Sequence, residues 1–147
     1  MANLSDYLPY SIDPANINFT GGTIDGVVIG GTNPEAGTFT TAVAVTDTTS
    51  IAGSTALDFS AQQNFVLTLT GNATLANPTT ETVGQSGFIV FIQDATGGRT
   101  VSLGTEYETA GGAGLSLSSA ASTTDIVPYV VAASGRILLG TPQLAFS

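Results

Sequence analysis

The chain has 147 residues, with two basic side chains, eleven acidic side chains and a formal net charge of −9. That length accommodates one domain with a core of its own, whereas two domains would be small. So few cations cannot displace the counterions of DNA or RNA and give no attraction to an anionic membrane, so we expect neither nucleic acid nor membrane as a partner.

The sequence contains no cysteine and no histidine, which excludes several kinds of catalytic and metal site. Disulfides, thiol nucleophiles, Ser-His-Asp triads and ordinary zinc sites all need one of these residues. We therefore expect no enzymatic activity and no cofactor. The sequence is 42% hydrophobic and only 9% charged, which favours a homo-oligomer, because large apolar patches are costly to leave in water.

Residues 1–50 are predicted to form an N-terminal arm that anchors the protein and intertwines with other copies. Pro9 and Pro14 oppose regular structure at the start of the chain. Residues 18–41 alternate short apolar pieces with glycine pairs, and one copy alone cannot bury those side chains. Three copies wound about a common axis would bury them.

Residues 51–147 are predicted to form a β-rich knob. Just before it, residues 39–46 alternate as a half-buried strand, and residues 47–54 are predicted to be a polar connector. Within the knob, residues 65–69 alternate between leucine or phenylalanine and smaller side chains, and a glycine and an asparagine at 71–72 predict a turn.

A β-hairpin at residues 87–103 is predicted to be the centre of the knob. Residues 88–92 are apolar on both faces, as expected of a strand that is central in a sheet. Adjacent glycines at 97–98 provide the turn. Arg99 is expected to pair with Asp94 across the base of the turn, an exposed contact worth at most about 1 kcal/mol.

A second hairpin is predicted at residues 126–139, around a two-residue turn. Leu115 and Leu117 alternate with serines as a short strand, and the tail carries Leu144 and Phe146, which are expected to pack on the sheet or on a neighbour. About eight short strands without a helical period predict an all-β fold, namely an antiparallel β-sandwich with jelly-roll-like order.

Carboxylates are the remaining candidates for chemistry. Glu106 and Glu108 would share one face of a strand, as in a glycosidase pair, but a solvated loop explains them better. A calcium site at Asp94 or Asp58 would use oxygen ligands, although their spacing matches no calcium-binding loop.

Two stretches of the sequence resemble segments of phage structural proteins. INFTGGTIDGVVIG from residue 17, with PEAGTFTT at 34–41, resembles the shaft-like segments of tailed-phage fibres and other trimeric virion proteins. VLTLTGNATLANP from residue 66, with GQSGFIVFIQDATGGRTVSL from residue 84, resembles a β-rich module common in phage structural proteins. The resemblance implies a trimeric, non-enzymatic piece of a tail fibre, a spike or a capsid decoration protein.

The short chain, with a single shaft-like segment, favours a compact knob with an arm. The main prediction is therefore a homotrimeric capsid decoration, or cement, protein that stabilises the head shell of the virion. Its expected partners are itself and the major capsid protein or tail proteins. The alternative is a short tail fibre or a receptor-binding or adaptor protein of the phage tail, in which residues 107–114 would contact a host glycan. The predicted trimer and anchor contacts are Tyr7, Tyr10, Ile24, Val27, Val28, Ile29 and Phe39.

Overall fold

The computed structural model describes residues 41–147, and its regular elements are β-strands apart from a short 3-10 turn at Ala110–Gly112. The all-β prediction is confirmed. The strands are β1 (Thr46–Ala56), β2 (Asn64–Ala76), β3 (Ser86–Gln93), β4 (Val101–Leu103), β5 (Tyr107–Thr109), β6 (Thr124–Ala133), β7 (Arg136–Leu139) and β8 (Gln143–Phe146). Within residues 41–147, no helix has the length and hydropathy needed to cross a membrane.

The eight strands form one mixed sheet with the order β1-β2-β3-β6-β7-β5. The long strand β2 organises one half, because β1 pairs with it in parallel on one side while β3 and then β4 pair with it in parallel on the other. The strand β6 organises the other half and runs antiparallel to β3, β7 and β8. At the edge, β5 pairs in parallel with β7.

This topology corrects the prediction of an antiparallel sandwich. Four strand pairs are parallel, and the described residues form a single sheet that curls into a half-barrel around its core. The two-sheet sandwich and the jelly-roll order are not confirmed. The physical reason is that residues 71–72, predicted to be a turn, lie inside β2, so the chain continues in one direction for 13 residues.

The predicted hairpin at residues 87–103 is wrong, because β3 and β4 both pair with β2 and not with each other. The turn after β3 is held by Asp94, whose Oδ1 accepts the N–H of Gly97 at 2.9 Å. The chain then passes beside the second half of β2, where the N–H of Ala73 donates to the carbonyl of Thr100 at 2.9 Å. The central position of β3 between β2 and β6 is confirmed.

The second predicted hairpin, at residues 126–139, is confirmed. The strands β6 and β7 run antiparallel, and Ala133 pairs with Arg136 across the turn. Gly135 in that turn has a φ of +66°, a conformation that two-residue hairpin turns favour.

The region predicted to be a polar connector is a strand. Residues 47–54 lie within β1, whereas residues 41–45, predicted to belong to a strand, form none. Threonine, frequent in this segment, favours strands. Pairing with β2 satisfies the backbone hydrogen-bonding groups on one side of β1, and Ile51 is buried against the core. The division of the chain at residue 50 stays a prediction.

The core lies on the inner face of the curled sheet. Phe59, from the loop after β1, packs edge-on against Phe65 and Tyr129 with ring centroids 5.1 and 5.2 Å away. Leu115 and Leu117 form no strand, contrary to prediction, but they pack partly buried against the core. The buried apolar residues are Ile51, Leu57, Phe59, Phe65, Leu67, Leu69, Ala73, Leu75, Ile89, Phe91, Val101, Tyr107, Val127, Tyr129, Val131, Ile137 and Leu139.

Candidate functional site

The predicted trimer and anchor contacts stay predictions, because all of them lie outside the described residues. They are Tyr7, Tyr10, Ile24, Val27, Val28, Ile29 and Phe39. Within residues 41–147, three features are candidates for contact with another molecule. These features are an apolar outer surface of the sheet, an open cleft near residues 107–114, and the carboxylates.

The outer face of the sheet, opposite the core, is apolar at its centre. Val90 of β3 lies between Val66 of β2 and Ile126 of β6 in the strand register, and Phe88 lies opposite Pro128. The strands β3 and β6 therefore carry apolar side chains on both faces, of which the chain covers the inner one. We call the apolar outer surface the outer patch, and its members are Val66, Phe88, Val90, Ile92, Ile126, Pro128, Val130, Leu138 and Phe146.

The outer patch has polar borders. On the β1 side, the outward side chains include Thr48 and Ser50. On the β5 side, Arg136 donates two hydrogen bonds to the Glu108 carboxylate, from Nε at 2.8 Å and from Nη2 at 3.0 Å. This arrangement of an apolar centre and a polar rim is the usual anatomy of a protein interface.

Two buried polar side chains fasten loops at one end of the sheet. The Gln93 amide donates to the carbonyls of Arg99 and Ser118 at 2.9 and 2.8 Å, and it accepts the Arg99 N–H at 2.9 Å. The Asp125 carboxylate accepts from the N–H and Oγ of Ser118 at 2.6 and 2.7 Å, and from the N–H of Ala145 at 2.8 Å. These bonds hold the segment before β4, the segment around Ser118 and β8 to the sheet.

The predicted pair between Asp94 and Arg99 is confirmed, with Arg99 Nη2 at 2.9 Å from Asp94 Oδ2. The hydrogen bond from the Arg99 guanidinium, followed by that from the Gly97 N–H, holds the pKa of Asp94 below its ordinary value of 3.8. The charged form of this carboxyl is therefore favoured by the folded chain.

Asp94→Asn is expected to make the free energy of unfolding less sensitive to acid. A carboxyl whose folded pKa is depressed contributes stability above its unfolded pKa and loses it as the pH falls through the folded pKa, here below about pH 4. Urea denaturation from about pH 6 to about pH 3 measures this. The variant should decline less steeply than the parent chain, although Glu81 and Glu108, whose pKa values are also lowered, keep some decline. Parallel curves would contradict the assignment.

Residues 107–114, proposed to contact a glycan, are not simply a loop, because they comprise β5, the 3-10 turn and two further residues. They line an open cleft of about 580 Å³ beside β4. Its polar lining includes Ser102, Glu108 and Thr109. Tyr107, the aromatic residue of this segment, begins β5, is 5% exposed and belongs to the core. It is therefore not available to stack on a sugar ring.

Tyr107→Phe is expected to raise the free energy of unfolding by about 1 kcal/mol, because it removes a buried polar group that has no partner. The Tyr107 hydroxyl has no hydrogen-bond partner within residues 41–147, and burial raises the pKa of this phenol far above its usual range. The matched control is Tyr129→Phe, which removes a 2.6 Å hydrogen bond to the Gln63 carbonyl and should lower stability by about 1 kcal/mol. Urea denaturation that gives the same sign for both variants would refute this explanation.

The carboxylates predicted as candidates for chemistry have different local partners. Glu108 lies in β5, contrary to the prediction of a solvated loop, and pairs with Arg136. Glu106 directly precedes β5 and lies against the turn that contains Gly135. The Asp58 carboxylate accepts a hydrogen bond from the hydroxyl of Ser60 at 2.6 Å. Among the described residues, no three acidic side chains are grouped closely enough to hold a metal ion, so the calcium hypothesis gains no support there.

Residues 41–136 match a family model described as "Putative phage tail fibre C-terminal domain". The match covers more than half of the chain and extends from just before β1 to the start of β7. The chain belongs to this family. The resemblance to phage virion structural proteins is thereby confirmed. No curated protein and no solved structure matches the chain.

In this tail fibre domain, the sequence indicates part of the outer patch but not the buried hydrogen bonds of Gln93 and Asp125. The apolar run at residues 88–92 predicts a strand with two apolar faces. The same signal is present at Ile126 and Val130, which alternate with buried residues of β6. Asp125 was not identified. Its signal is an acidic residue beside the strongly apolar run at residues 126–131, where a buried carboxylate needs several donors.

Proposed function

We propose that the chain is a non-enzymatic structural part of a phage tail fibre and that it acts as a homotrimer. The observation that carries this proposal is the family match over residues 41–136. The match favours the tail fibre alternative over the main prediction from sequence, a capsid decoration protein. Family membership is consistent with a location in the virion, and we assign the tail as the place within it.

The proposed role is mechanical support and assembly. A mechanical role is supported by the way the loops of this domain are held. The buried side chains of Gln93 and Asp125 bind them to the sheet through hydrogen bonds. The proposed partners are two further copies of the chain and neighbouring tail proteins. With a net charge of −9, the chain is not expected to bind nucleic acid or membrane, and the proposal requires no cofactor.

Immunogold electron microscopy of intact virions tests the assignment to the tail. Antibodies raised against the purified chain should label the fibres or the distal end of the tail. Label spread over the head would overturn the tail assignment and restore capsid decoration as the function. A phage lacking the gene provides the control for antibody specificity.

A receptor-binding role is a second candidate, favoured by the open cleft lined by residues 107–114. In this version, polar side chains such as Ser102 and Thr109 would contact a host glycan. Purified chain added in excess to host cells should then slow phage adsorption. Unchanged adsorption kinetics would leave the chain as a purely structural part of the fibre.

A further inference from the structure

The outer patch is an apolar surface that the described part of the chain leaves uncovered. Phe88 is 50% exposed, Phe146 is 47% exposed and Val130 is 39% exposed, although all three lie on paired strands. A sheet face that only meets water usually carries polar side chains. Apolar side chains at neighbouring register positions of β2, β3 and β6 therefore indicate a face that is covered in the assembled state.

We propose that the outer patch is the surface through which copies of this chain contact one another around the threefold axis. This inference rests on the homotrimer of the proposed function and assigns a surface to it. The occupant is the same patch of the neighbouring copies, because the three sheets would face the axis together and each patch would meet those of both neighbours. Val90 and Ile126 would lie near the axis, with the Arg136–Glu108 pair at the rim of the contact.

The distribution of charge favours a second copy as the occupant. The chain has two cations, Arg99 and Arg136, and both are paired internally, with Asp94 and with Glu108. The net charge of −9 therefore makes most approaches of one copy to another repulsive. None of the outer patch residues is charged, so this face allows two acidic chains to meet without opposing carboxylates.

The area of the outer patch is smaller than the area that each partner buries in a stable interface, so the patch would form one part of a larger contact. It spans four strand positions, β2, β3, β6 and then β7 or β8. Strands lie about 4.8 Å apart and rise about 3.3 Å per residue, so five residues along each strand give roughly 300 Å² in plan. A stable interface buries about 800 Å² on each partner. The patch thus supplies a substantial share of the contact, and the predicted intertwining of residues 1–50 would supply the rest.

Single substitutions in the full chain test this surface. Phe88→Asp places a charge in the patch at a half-exposed position, so the domain should still fold, and Val90→Asp places one near its centre. The matched control is Val83→Asp, because Val83 is 61% exposed in the loop before β3 and lies outside the patch. Light scattering after size-exclusion chromatography gives the oligomeric state, and circular dichroism confirms folding of each variant.

The parent chain and Val83→Asp should be trimers, whereas Phe88→Asp and Val90→Asp should raise the dissociation constant at least about tenfold. A folded Phe88→Asp chain with an unchanged dissociation constant would overturn the inference, and so would a parent chain that stays monomeric. A monomeric parent chain would remove the proposed homotrimer itself, whereas a trimer that Phe88→Asp leaves intact would remove only the surface. The two failures are therefore distinguishable, and both are independent of where antibodies label the virion.

Ionic strength provides an independent readout of the same contact. Like charges on two copies repel, and salt screens that repulsion while leaving the apolar contact intact. Raising the ionic strength from about 0.05 M to about 0.5 M should therefore tighten the association of the parent chain. Weaker association at high salt would mean that complementary charges make the contact, which would overturn the outer patch as its centre.

Discussion

Asp125→Ala should lower the free energy of unfolding by about 3 to 5 kcal/mol, a large share of the stability of an ordinary domain. The Asp125 side chain is 2% exposed and accepts hydrogen bonds from two donors of Ser118 and from the N–H of Ala145. Alanine removes the acceptor and leaves these donors without their partner, and each bond to a charged acceptor is worth about 1.5 to 3 kcal/mol. Urea denaturation monitored by circular dichroism measures the loss.

Two further variants test whether the loss of stability comes from the buried hydrogen bonds of Asp125. Asp58→Ala removes an exposed carboxylate bonded to Ser60, and it should change stability by less than about 1 kcal/mol. Asp125→Asn keeps the size and one acceptor oxygen and should fall between the parent and Asp125→Ala. Amide hydrogen exchange at Ala145 should accelerate in both Asp125 variants. An Asp125→Ala chain as stable as Asp58→Ala would show that the hydrogen bonds of Asp125 do not hold β8 to the sheet.

Gly87→Ala is the second substitution with a large expected effect, a loss of about 3 kcal/mol or more. A Cβ at this position would overlap the Gln63 carbonyl oxygen and would lie 2.9 Å from Asn64 Oδ1 and 3.0 Å from Tyr129 Cε1. The main chain of the loop before β2 would have to move. That movement would also break the 2.6 Å hydrogen bond from the Tyr129 hydroxyl to Gln63.

Gly71→Ala is the matched control, because Gly71 also lies within a strand and its added Cβ would meet a single side-chain atom, the Cβ of Ala52, at 3.2 Å. Its expected effect is below about 1 kcal/mol. Tyr129→Phe should also cost less in the Gly87→Ala background than in the parent, since the hydrogen bond is already lost there. Thermal denaturation of the single and double variants measures both effects. Additive costs at positions 87 and 129 would contradict the proposed clash with Gln63.

Local signals in the sequence were sufficient for part of the fold. The hairpin predicted at residues 126–139 follows from two apolar runs around a short turn, because both strands and their connection lie close together in the chain, at residues 124–139. The ion pair of Asp94 with Arg99 is local in the same sense. The central position of residues 88–92 in the sheet followed from their two apolar faces.

The parallel pairings could not be predicted in the same way, because partner choice is not local. The sequence at residues 71–72 is compatible with a turn. In the structure, β2 continues through these residues, and its pairing with β1 changes register between Ile51 and Gly53 of β1. The strands β3 and β4 are close in sequence, but Gln93 and Asp94 fix the intervening segment so that both pair with β2. For the candidate site, the sequence alone shows the apolar strand at residues 88–92. That the outer face of this strand stays uncovered follows only from the order of the strands in the sheet.

The proposed place of the chain in the phage tail determines its role as a part of a fibre. Quantitative mass spectrometry of purified virions, with the major capsid protein as the internal reference, tests this assignment most directly. A trimeric fibre component should be present in a small number of copies per particle, in a multiple of three. A number comparable to that of the major capsid protein, or a large fixed fraction of it, would rule out the tail and identify the chain as a decoration protein of the head.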